Sequence, residues 1–295
     1  MRLLNWMSII CGALLAAAFA QPPKPILGEN EQPLLPRPAF LRVLGASQLS
    51  LFADYYWLRT LNQIGSATSA AQYQTAYHFA EMATELDPLF RQAYLFTAIA
   101  IPIQSSRGQY ANADLSTRLL RKGLLVFPDD YQLKFQLAYN LAFFHRQHRE
   151  AAEVLTQLVS RPEAPGWLGA LATRLYAQAG NFDAGEALTR ALLDAADDEE
   201  SRQFYRLRLL EIAQEQALRT LDAAIARYRE RTGTAPGSLY TLIGSGDLLQ
   251  IPPDPLNGTF FIHADGRARS TASRYRLELI QDAKLAEASQ PSPTP

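Results

Sequence analysis

The sequence predicts an all-α fold built from successive pairs of helices. Three patterns support this prediction: small residues at helical spacing before a proline, two prolines one repeat length apart, and a glycine turn after a helical tyrosine. The first pattern is Ala76-x3-Ala80-x2-Ala83-x2-Leu86-Asp87-Pro88. The second is the interval of 34 residues between Pro128 and Pro162, and the third is Tyr176-x3-Gly180-Asn181-Phe182. A period near 34 residues is typical of stacked helix-turn-helix units.

A small residue stands five positions before each of two prolines, Ala83 before Pro88 and Gly123 before Pro128. A small side chain lets the two helices of one unit approach where they cross. The proline then ends the second helix, because it has no N–H donor and disfavours helix in the residue before it. The following segments carry apolar residues at spacings of three and four, as an amphipathic helix requires: Tyr94–Ile101, Phe135–Leu141 and Leu168–Tyr176.

Together these residues resemble the tetratricopeptide repeat (TPR) over 66–195. The resemblance implies a right-handed α-solenoid of about three to four helix pairs. The interval from Pro88 to Pro128 is 40 residues, and we place its six extra residues at 104–109. An aromatic helix at 39–65 would cap the solenoid or form a docking surface. The alternative is an ordinary helical bundle whose alanine and proline spacings coincide.

In TPR proteins, peptides bind the concave face that the first helices form. Six residues map to that face from the proline positions: Gln132, Phe135, Tyr139, Trp167, Arg174 and Gln178. Aromatic rings with Arg and Gln suit a groove that holds apolar side chains and peptide backbone. Alternatively, Phe135 and Trp167 fill the space between neighbouring units.

The N-terminus predicts export. Residues 3–19 form an apolar run, and Ala18-Phe19-Ala20 is a small-residue cleavage pattern, so 1–20 reads as a signal peptide or membrane anchor. Both outcomes stay open, because a membrane span needs about 20 apolar residues. A proline-rich tether is predicted at 21–38. We therefore expect a periplasmic protein that contacts the membrane only through residues 3–19.

Composition narrows the possible chemistry. With 28 basic and 29 acidic residues, the chain has no general attraction for nucleic acid. Its one cysteine, Cys11, lies in the apolar run, which excludes disulfides and cysteine-ligated zinc from the exported part. The chain shows no phosphate-binding loop, nucleophile elbow or zinc motif. We predict a protein that is not an enzyme and needs no cofactor or metal.

Charged and imidazole side chains receive structural interpretations. His145 and His148 are interpreted as solvated residues of an inter-helix turn. Asp254 and Asp265 are too few carboxylates for a calcium site. Mixed charges along the long helix are interpreted as a solvated face: Arg202, Arg206, Arg208 and Arg219, with Glu200, Glu211 and Glu215 between them.

A different module follows the predicted long helix at 196–232, which Gly233 should end. Its order is Gly-x-x-Pro at 233–236, a short Leu-rich helix, Pro-x-Asp-Pro at 252–255, and two strands at 259–263 and 267–274 joined by an Asp-Gly turn. This order resembles the C-terminal half of type II secretion pseudopilins, although no pilin helix leads into it. The resemblance implies a small β-hairpin extension at 233–283. Residues 284–295 are predicted to be disordered.

The predicted function is a non-enzymatic scaffold of the bacterial envelope that holds another protein or peptide. The pseudopilin-like tail suggests a partner in a pilus or secretion machine. The alternative is a small-ligand or glycan-binding helical protein serving polysaccharide export, with Tyr55, Tyr56 and Trp57 as its binding wall.

Overall fold

The computed structural model describes residues 33–45, 48–106, 109–161, 164–273 and 275–278. Helices account for 66% of these residues, which confirms the prediction of a mostly helical protein. The predicted leader at 1–20, most of the tether at 21–38, the end of the extension at 279–283 and the tail at 284–295 lie outside the described residues. No helix in the described ranges combines the length and apolar character needed to cross a membrane.

The chain divides into two compact units, one ending at Asp87 and the other beginning at Pro88. The first unit contains α1 (Pro38–Leu44), α2 (Leu49–Ser66) and α3 (Ala70–Leu86). Tyr56 of α2 is buried and stacks on Phe79 of α3, with ring centroids 6.4 Å apart. Arg42 joins α1 to the end of α3, because its Nη2 donates to the Glu85 carbonyl oxygen at 2.6 Å.

The single helix predicted at 39–65 is wrong, because the structure has two helices there, α1 and α2. Gly45 follows the last residue of α1, and its N–H donates to the Leu41 carbonyl at 2.8 Å. The ring of Phe52 lies so close to the Gly45 Cα that a Cβ at this position would collide with it. A side chain at position 45 would therefore require the Phe52 ring to move, and the low helix propensity of glycine favours ending α1 there.

The second unit begins with six helices and a two-stranded sheet. Its elements are α4 (Arg91–Ala100), β1 (Ile103–Ser106), β2 (Gln109–Ala111), α5 (Ala113–Val126), α6 (Tyr131–Phe143), α7 (His148–Val159), α8 (Gly166–Gln178) and α9 (Phe182–Ala195). Each of the helices α4 to α9 packs on the next along the chain. Strands β1 and β2 pair antiparallel within the segment where the six extra residues were expected. The described residues of that segment, 104–106 and 109, thus belong to strands that the helical pattern did not predict.

Close helix contacts and buried polar bonds hold α4, α5 and α6 together. A Cβ on Gly123 of α5 would lie 2.9 Å from Cγ of Tyr94 of α4, so the predicted need for a small residue at this crossing is confirmed. Asn140 of α6 is fully buried, and its Nδ2 donates to Ser116 Oγ at 2.7 Å. Ser116 Oγ in turn donates to the Ala98 carbonyl at 2.5 Å. These bonds satisfy polar groups that burial would otherwise leave at a cost.

The long helix α10 (Glu199–Thr232) has caps at both ends. The Asp198 carboxylate accepts from the Ser201 N–H at 2.7 Å, which satisfies one free N–H of the first turn. Gly233 ends the helix with a left-handed φ of 74°, as predicted. After it come α11 (Leu239–Gly244), β3 (Phe260–Ile262) and β4 (Ala268–Ser270), with β3 and β4 paired antiparallel.

Buried ionic contacts attach the residues after α11 to α10. Glu215 of α10 is 1% exposed and accepts two hydrogen bonds from Arg276, whose Nε and Nη2 lie 3.0 and 2.7 Å away. Gln214 of α10 donates to Asp254 Oδ1 at 2.7 Å, and Ser270 of β4 donates to Asp254 Oδ2. The interpretation of the charged residues of α10 as a solvated face is therefore wrong for Glu215, and also for Arg208, which is 6% exposed.

Candidate functional site

Four aromatic side chains follow one another along α6 at intervals of four residues: Tyr131, Phe135, Tyr139 and Phe143. Residues four apart lie on the same side of a helix, one turn above the other. Tyr131 stacks with Phe135 at a centroid distance of 6.4 Å, and Tyr139 stacks with Phe143 at 5.0 Å. We call these four rings the aromatic face of α6.

Neighbouring elements extend the aromatic face in two directions. At one end, Trp167 of α8 meets Phe135 edge-to-face, with centroids 5.6 Å apart. At the other end, Tyr110 of β2 lies 5.3 Å from the ring of Phe143 and 4.8 Å from that of Phe144. The strand pair β1–β2 therefore contributes a ring that α6 and α8 do not supply.

Much of this surface is open to solvent. Trp167 is 52% exposed and Tyr139 is 43% exposed, whereas Phe135 and Phe143 are partly buried. Burial, and then electrostatic repulsion from Tyr110, raises the pKa of Tyr139 above its ordinary value. Large aromatic side chains with polar atoms are the residues that dominate protein interfaces.

Gln132, at the start of α6, is exposed but already holds a structural bond. Its Oε1 accepts from Arg91 Nη2 of α4 at 2.6 Å. Arg91 also donates from Nε to Asp130 Oδ2 at 2.5 Å. Asp130 caps α6, because its Oδ1 accepts from the Leu133 N–H at 2.9 Å. Burial alone would raise the pKa of Asp130, but the bonds from Arg91 and Leu133 outweigh it and hold the pKa below its ordinary value.

Trp167, Arg174 and Gln178 share one face of α8, because they are spaced by seven and four residues. Arg174 and Gln178 are partly buried, and the Gln178 carbonyl accepts from Arg219 of α10 at 3.2 Å. The Nε of Arg174 is buried and has no hydrogen-bond partner within the described residues. This face of α8 thus meets the aromatic face of α6 at Trp167, and it carries the positive charge of Arg174 two turns further along the helix.

The structure brings together some of the residues that the sequence assigned to a groove. Phe135 and Trp167 are in contact, whereas the aromatic contacts of Tyr139 are with Phe143 and Phe144. Sequence analysis missed four residues of this surface: Tyr110, Tyr131, Phe143 and Phe144. The four-residue spacing along α6 was a signal for Tyr131 and Phe143, whereas the contacts of Tyr110 with Phe143 and Phe144 depend on how β2 packs.

The interpretation of His145 and His148 as solvated residues is wrong. The Nε2 of His145 is 2.7 Å from Thr117 Oγ1, and its Nδ1 is 3.5 Å from Asp114 Oδ1. Although this order of groups occurs in hydrolases, Thr117 is 5% exposed and its hydroxyl accepts from Asn140, so it serves the contact between α5 and α6. Burial, with the charges of Arg146 and Arg219, lowers the pKa of His148.

A second candidate site is an open cavity of about 400 Å³ in the C-terminal part of the second unit. It is lined by residues 237–240, 251–254 and 258–262. Tyr240 at its edge is 76% exposed, and Phe261 of β3 is 40% exposed. By contrast, Tyr56 of the first unit is 7% exposed, so it does not belong to a binding wall with Tyr55 and Trp57.

Potential metal ligands are dispersed in this part of the molecule. Among the described residues, no group of three or more His, Cys, Asp or Glu side chains is placed to hold a metal ion. Both oxygens of Asp254 accept hydrogen bonds from protein donors, and Asp265 accepts from the Arg267 N–H at 2.9 Å and from Arg269 Nη2 at 2.6 Å. These carboxylates close the turns around β3 and β4.

Comparison with known protein families, curated proteins and solved structures yields no match to this chain.

Proposed function

We propose that this protein is a non-enzymatic scaffold that holds a peptide segment of another protein against the aromatic face of α6. The observation that carries the proposal is the row of aromatic rings on α6, to which Tyr110 adds a ring beside Phe143 and Trp167 adds one beside Phe135. Tyr139 and Trp167 are about half exposed. Exposed aromatic side chains that already pack against one another lose little conformational freedom on binding. They therefore retain more of the binding free energy than flexible side chains do.

Two resemblances in the sequence support the kind of partner. The helix pairs over 66–195 resemble TPR units, which hold peptides along a concave face of a solenoid. The module after Gly233 resembles the end of type II secretion pseudopilins. With the export signal predicted at 1–20, these resemblances favour a periplasmic partner in a pilus or secretion assembly, with membrane contact only through residues 3–19.

The decisive experiment compares matched aromatic variants in a pull-down from envelope extracts, with chemical crosslinking and identification of the captured proteins. Tyr139→Ala and Trp167→Ala should each lose the captured partner, because central aromatic anchors contribute about 2 kcal/mol or more to binding. Tyr240→Ala is the control, since Tyr240 is more exposed but lies beside the separate cavity.

Three results would contradict the proposal. Wild type could capture nothing beyond a bead control, Tyr139→Ala and Trp167→Ala could capture as much as wild type, or Tyr240→Ala could lose as much as they do. Circular dichroism melting of all variants separates lost binding from lost folding.

The cavity beside β3 supports a second candidate function, the binding of a small ligand or glycan. Its volume of about 400 Å³ lies in the range of small-molecule sites, and Tyr240 offers a ring on which a sugar can stack. A thermal-shift screen against sugars tests this function. A ligand at 100 times its dissociation constant should stabilise the native state by about 2.7 kcal/mol, and Tyr240→Ala should remove the shift.

A further inference from the structure

One edge of the β3–β4 hairpin is covered by side chains of α10 and of the segment that follows β4. The Ala268 N–H of β4 donates to Asp222 Oδ1 at 2.8 Å, and Arg276 Nη1 donates to the Ala268 carbonyl at 3.5 Å. The backbone of Ala268 is therefore satisfied on the side of the hairpin that faces α10.

The hydrogen bonds within the hairpin show which backbone groups of β3 point toward β4. The Thr271 N–H donates to the Thr259 carbonyl at 3.1 Å, and the His263 N–H donates to the Arg267 carbonyl at 2.9 Å. Hydrogen-bonded and non-hydrogen-bonded pairs alternate along an antiparallel ladder. Phe261, midway between Thr259 and His263, therefore also directs its N–H and C=O groups toward β4.

Phe260 and Ile262 direct their backbone N–H and C=O groups to the opposite side of β3. On that side, no backbone hydrogen bond from the described residues reaches either one. The open cavity of about 400 Å³ lies along this side, because its lining includes each residue from 258 to 262 and none of β4. Consecutive strand residues point to opposite faces of a sheet, so a cavity that touches all of them borders the edge of the strand.

The other lining residues of the cavity offer little backbone pairing to β3. They include Pro252 and Pro253, and proline has no N–H to donate. Leu239, Tyr240 and Ile251 add apolar surface. The cavity thus combines a hydrogen-bonding strand edge with a largely apolar lining, and free strand edges accept extended peptides as additional strands.

The volume of the cavity matches a short strand segment. Within a sheet, a residue rises about 3.4 Å along its strand, lies about 4.8 Å from the next strand, and belongs to a layer about 10 Å thick. Each residue then occupies about 160 Å³, so a cavity of about 400 Å³ holds about two or three residues. Strand β3 itself has three residues, Phe260–Ile262.

We propose that an extended peptide segment of a partner protein binds in this cavity as a third strand beside β3. The site is separate from the aromatic face of α6, so the inference does not rest on the function proposed for that face. It uses the cavity of the second candidate function and assigns it a peptide in place of a glycan.

The two faces of β3 indicate which side chains the peptide segment carries. Phe260 is 6% exposed and packs in a core with Leu239, and Ile262 packs against the same core. Phe261, on the other face, is 40% exposed. Residues side by side on neighbouring strands share a face. The segment should therefore carry apolar side chains at alternate positions, beside Phe260 and Ile262.

The test selects peptides from a phage-displayed library of random twelve-residue sequences on the immobilised full chain. Ile262→Pro removes the N–H that faces the cavity and keeps the bonds of Phe261 to β4, because proline is tolerated on an edge strand where the N–H side points outward. Ile262→Val is the matched control, since it shortens the same side chain and keeps the N–H. Enriched peptides should bind wild type and Ile262→Val alike, and should bind Ile262→Pro about tenfold more weakly.

A second measurement uses only wild type, so it does not depend on the folding of a variant. The best peptide is synthesised with a methyl group on one backbone nitrogen at a time. Methylation should weaken binding by about tenfold at alternate residues, whose N–H groups bond to β3, and should change it little at the residues between them. Hydrogen exchange should show that the bound peptide protects the amides of Phe260 and Ile262 and leaves that of Phe261, already bonded to β4, unchanged.

The outcomes separate this site from the aromatic face. If every enriched peptide is lost by Trp167→Ala and retained by Ile262→Pro, the peptides bind the aromatic face, which supports the scaffold and overturns the site at β3. Equal effects of methylation at all residues, or unchanged exchange of Phe260 and Ile262, also overturn it. Protection of both amides before peptide is added shows that another segment of this chain or a second copy occupies the edge, and overturns the assignment to a partner. A library that yields no enriched peptide counts against both proposals.

Discussion

Glu215 and Arg276 form a two-point ion pair in which both side chains are almost completely buried, although 61 residues separate them in the chain. Arg276 also donates to Asp222 at 2.5 Å, and Arg219 donates to Glu215 at 3.0 Å. The ion pair attaches the segment at 275–278 to the middle of α10. It is the main polar contact between the end of the described chain and the long helix.

Removing one partner of this buried ion pair should destabilise the protein far more than removing one partner of an exposed ion pair. Glu215→Gln removes the negative charge that faces the buried Arg276 and leaves it one oxygen acceptor instead of two. We expect a loss of about 3–5 kcal/mol in the stability of the C-terminal part of the second unit. Hydrogen exchange of the β3 and β4 amides measures this loss. Glu186→Gln, in an exposed pair with Arg190, should cost less than about 1 kcal/mol. Similar protection in both variants would contradict the prediction.

Asp130 should make the stability of the second unit depend on pH. Its folded-state pKa is lowered, so its contribution is present above the unfolded pKa of about 4 and disappears as the pH falls through the folded value. Asp130→Asn should therefore destabilise by about 1–2 kcal/mol at pH 7, through the cap of α6 and the bond to Arg91. Urea unfolding should show that the difference in stability between wild type and Asp130→Asn is smaller at pH 3 than at pH 7. If the stability difference is unchanged or larger at pH 3, Asp130 does not make stability depend on pH in this way.

Gly123 should not tolerate a methyl group. A Cβ there would lie 2.9 Å from Cγ of the buried Tyr94 ring, so Gly123→Ala should destabilise by about 1–3 kcal/mol. Gly65→Ala is the matched helical control, because nothing lies within 4 Å of its Cβ position. That change should be neutral or stabilise by up to about 1 kcal/mol. Equal thermal shifts for the two variants would show that the α4–α5 contact is looser than the structure indicates.

Asp254 should act through hydrogen bonds and not through a metal. Asp254→Ala should cost about 2 kcal/mol, because it removes the acceptor of Gln214 and Ser270, both largely buried. Excess chelator should leave the melting temperature of wild type unchanged, and millimolar Ca²⁺ should not raise it. A calcium-dependent rise in wild type that disappears in Asp254→Ala would indicate a metal site instead.

The sequence predicted the helical elements well because their signals are local. Apolar spacing, prolines that end helices and Gly233 act within one or two turns, so the bounds of α10 and the close approach at Gly123 followed from short patterns. The aromatic spacing along α6 was equally local. The end of α1 at Gly45 was missed because the apolar pattern continues through it.

The charged residues show where local patterns fail. Arg206 and Arg208 stand two positions apart with similar neighbours, yet one is exposed and the other is 6% exposed. Helical spacing shows on which side of α10 each residue lies, but it does not show which other elements pack against that side. Likewise, the spacing of Glu215 and Arg219 predicts an exposed i, i+4 pair. In the structure Glu215 is buried, because Arg276 from a distant part of the chain also bonds to it.

By itself, then, the amino-acid sequence determined the helix content, the helix ends at Gly233 and near the prolines, and the kinds of side chain on each helical face. Tertiary structure alone decided which faces meet. It placed Tyr110 beside Phe143 and Trp167 against Phe135, because those contacts join residues that are remote in the chain and depend on packing between elements.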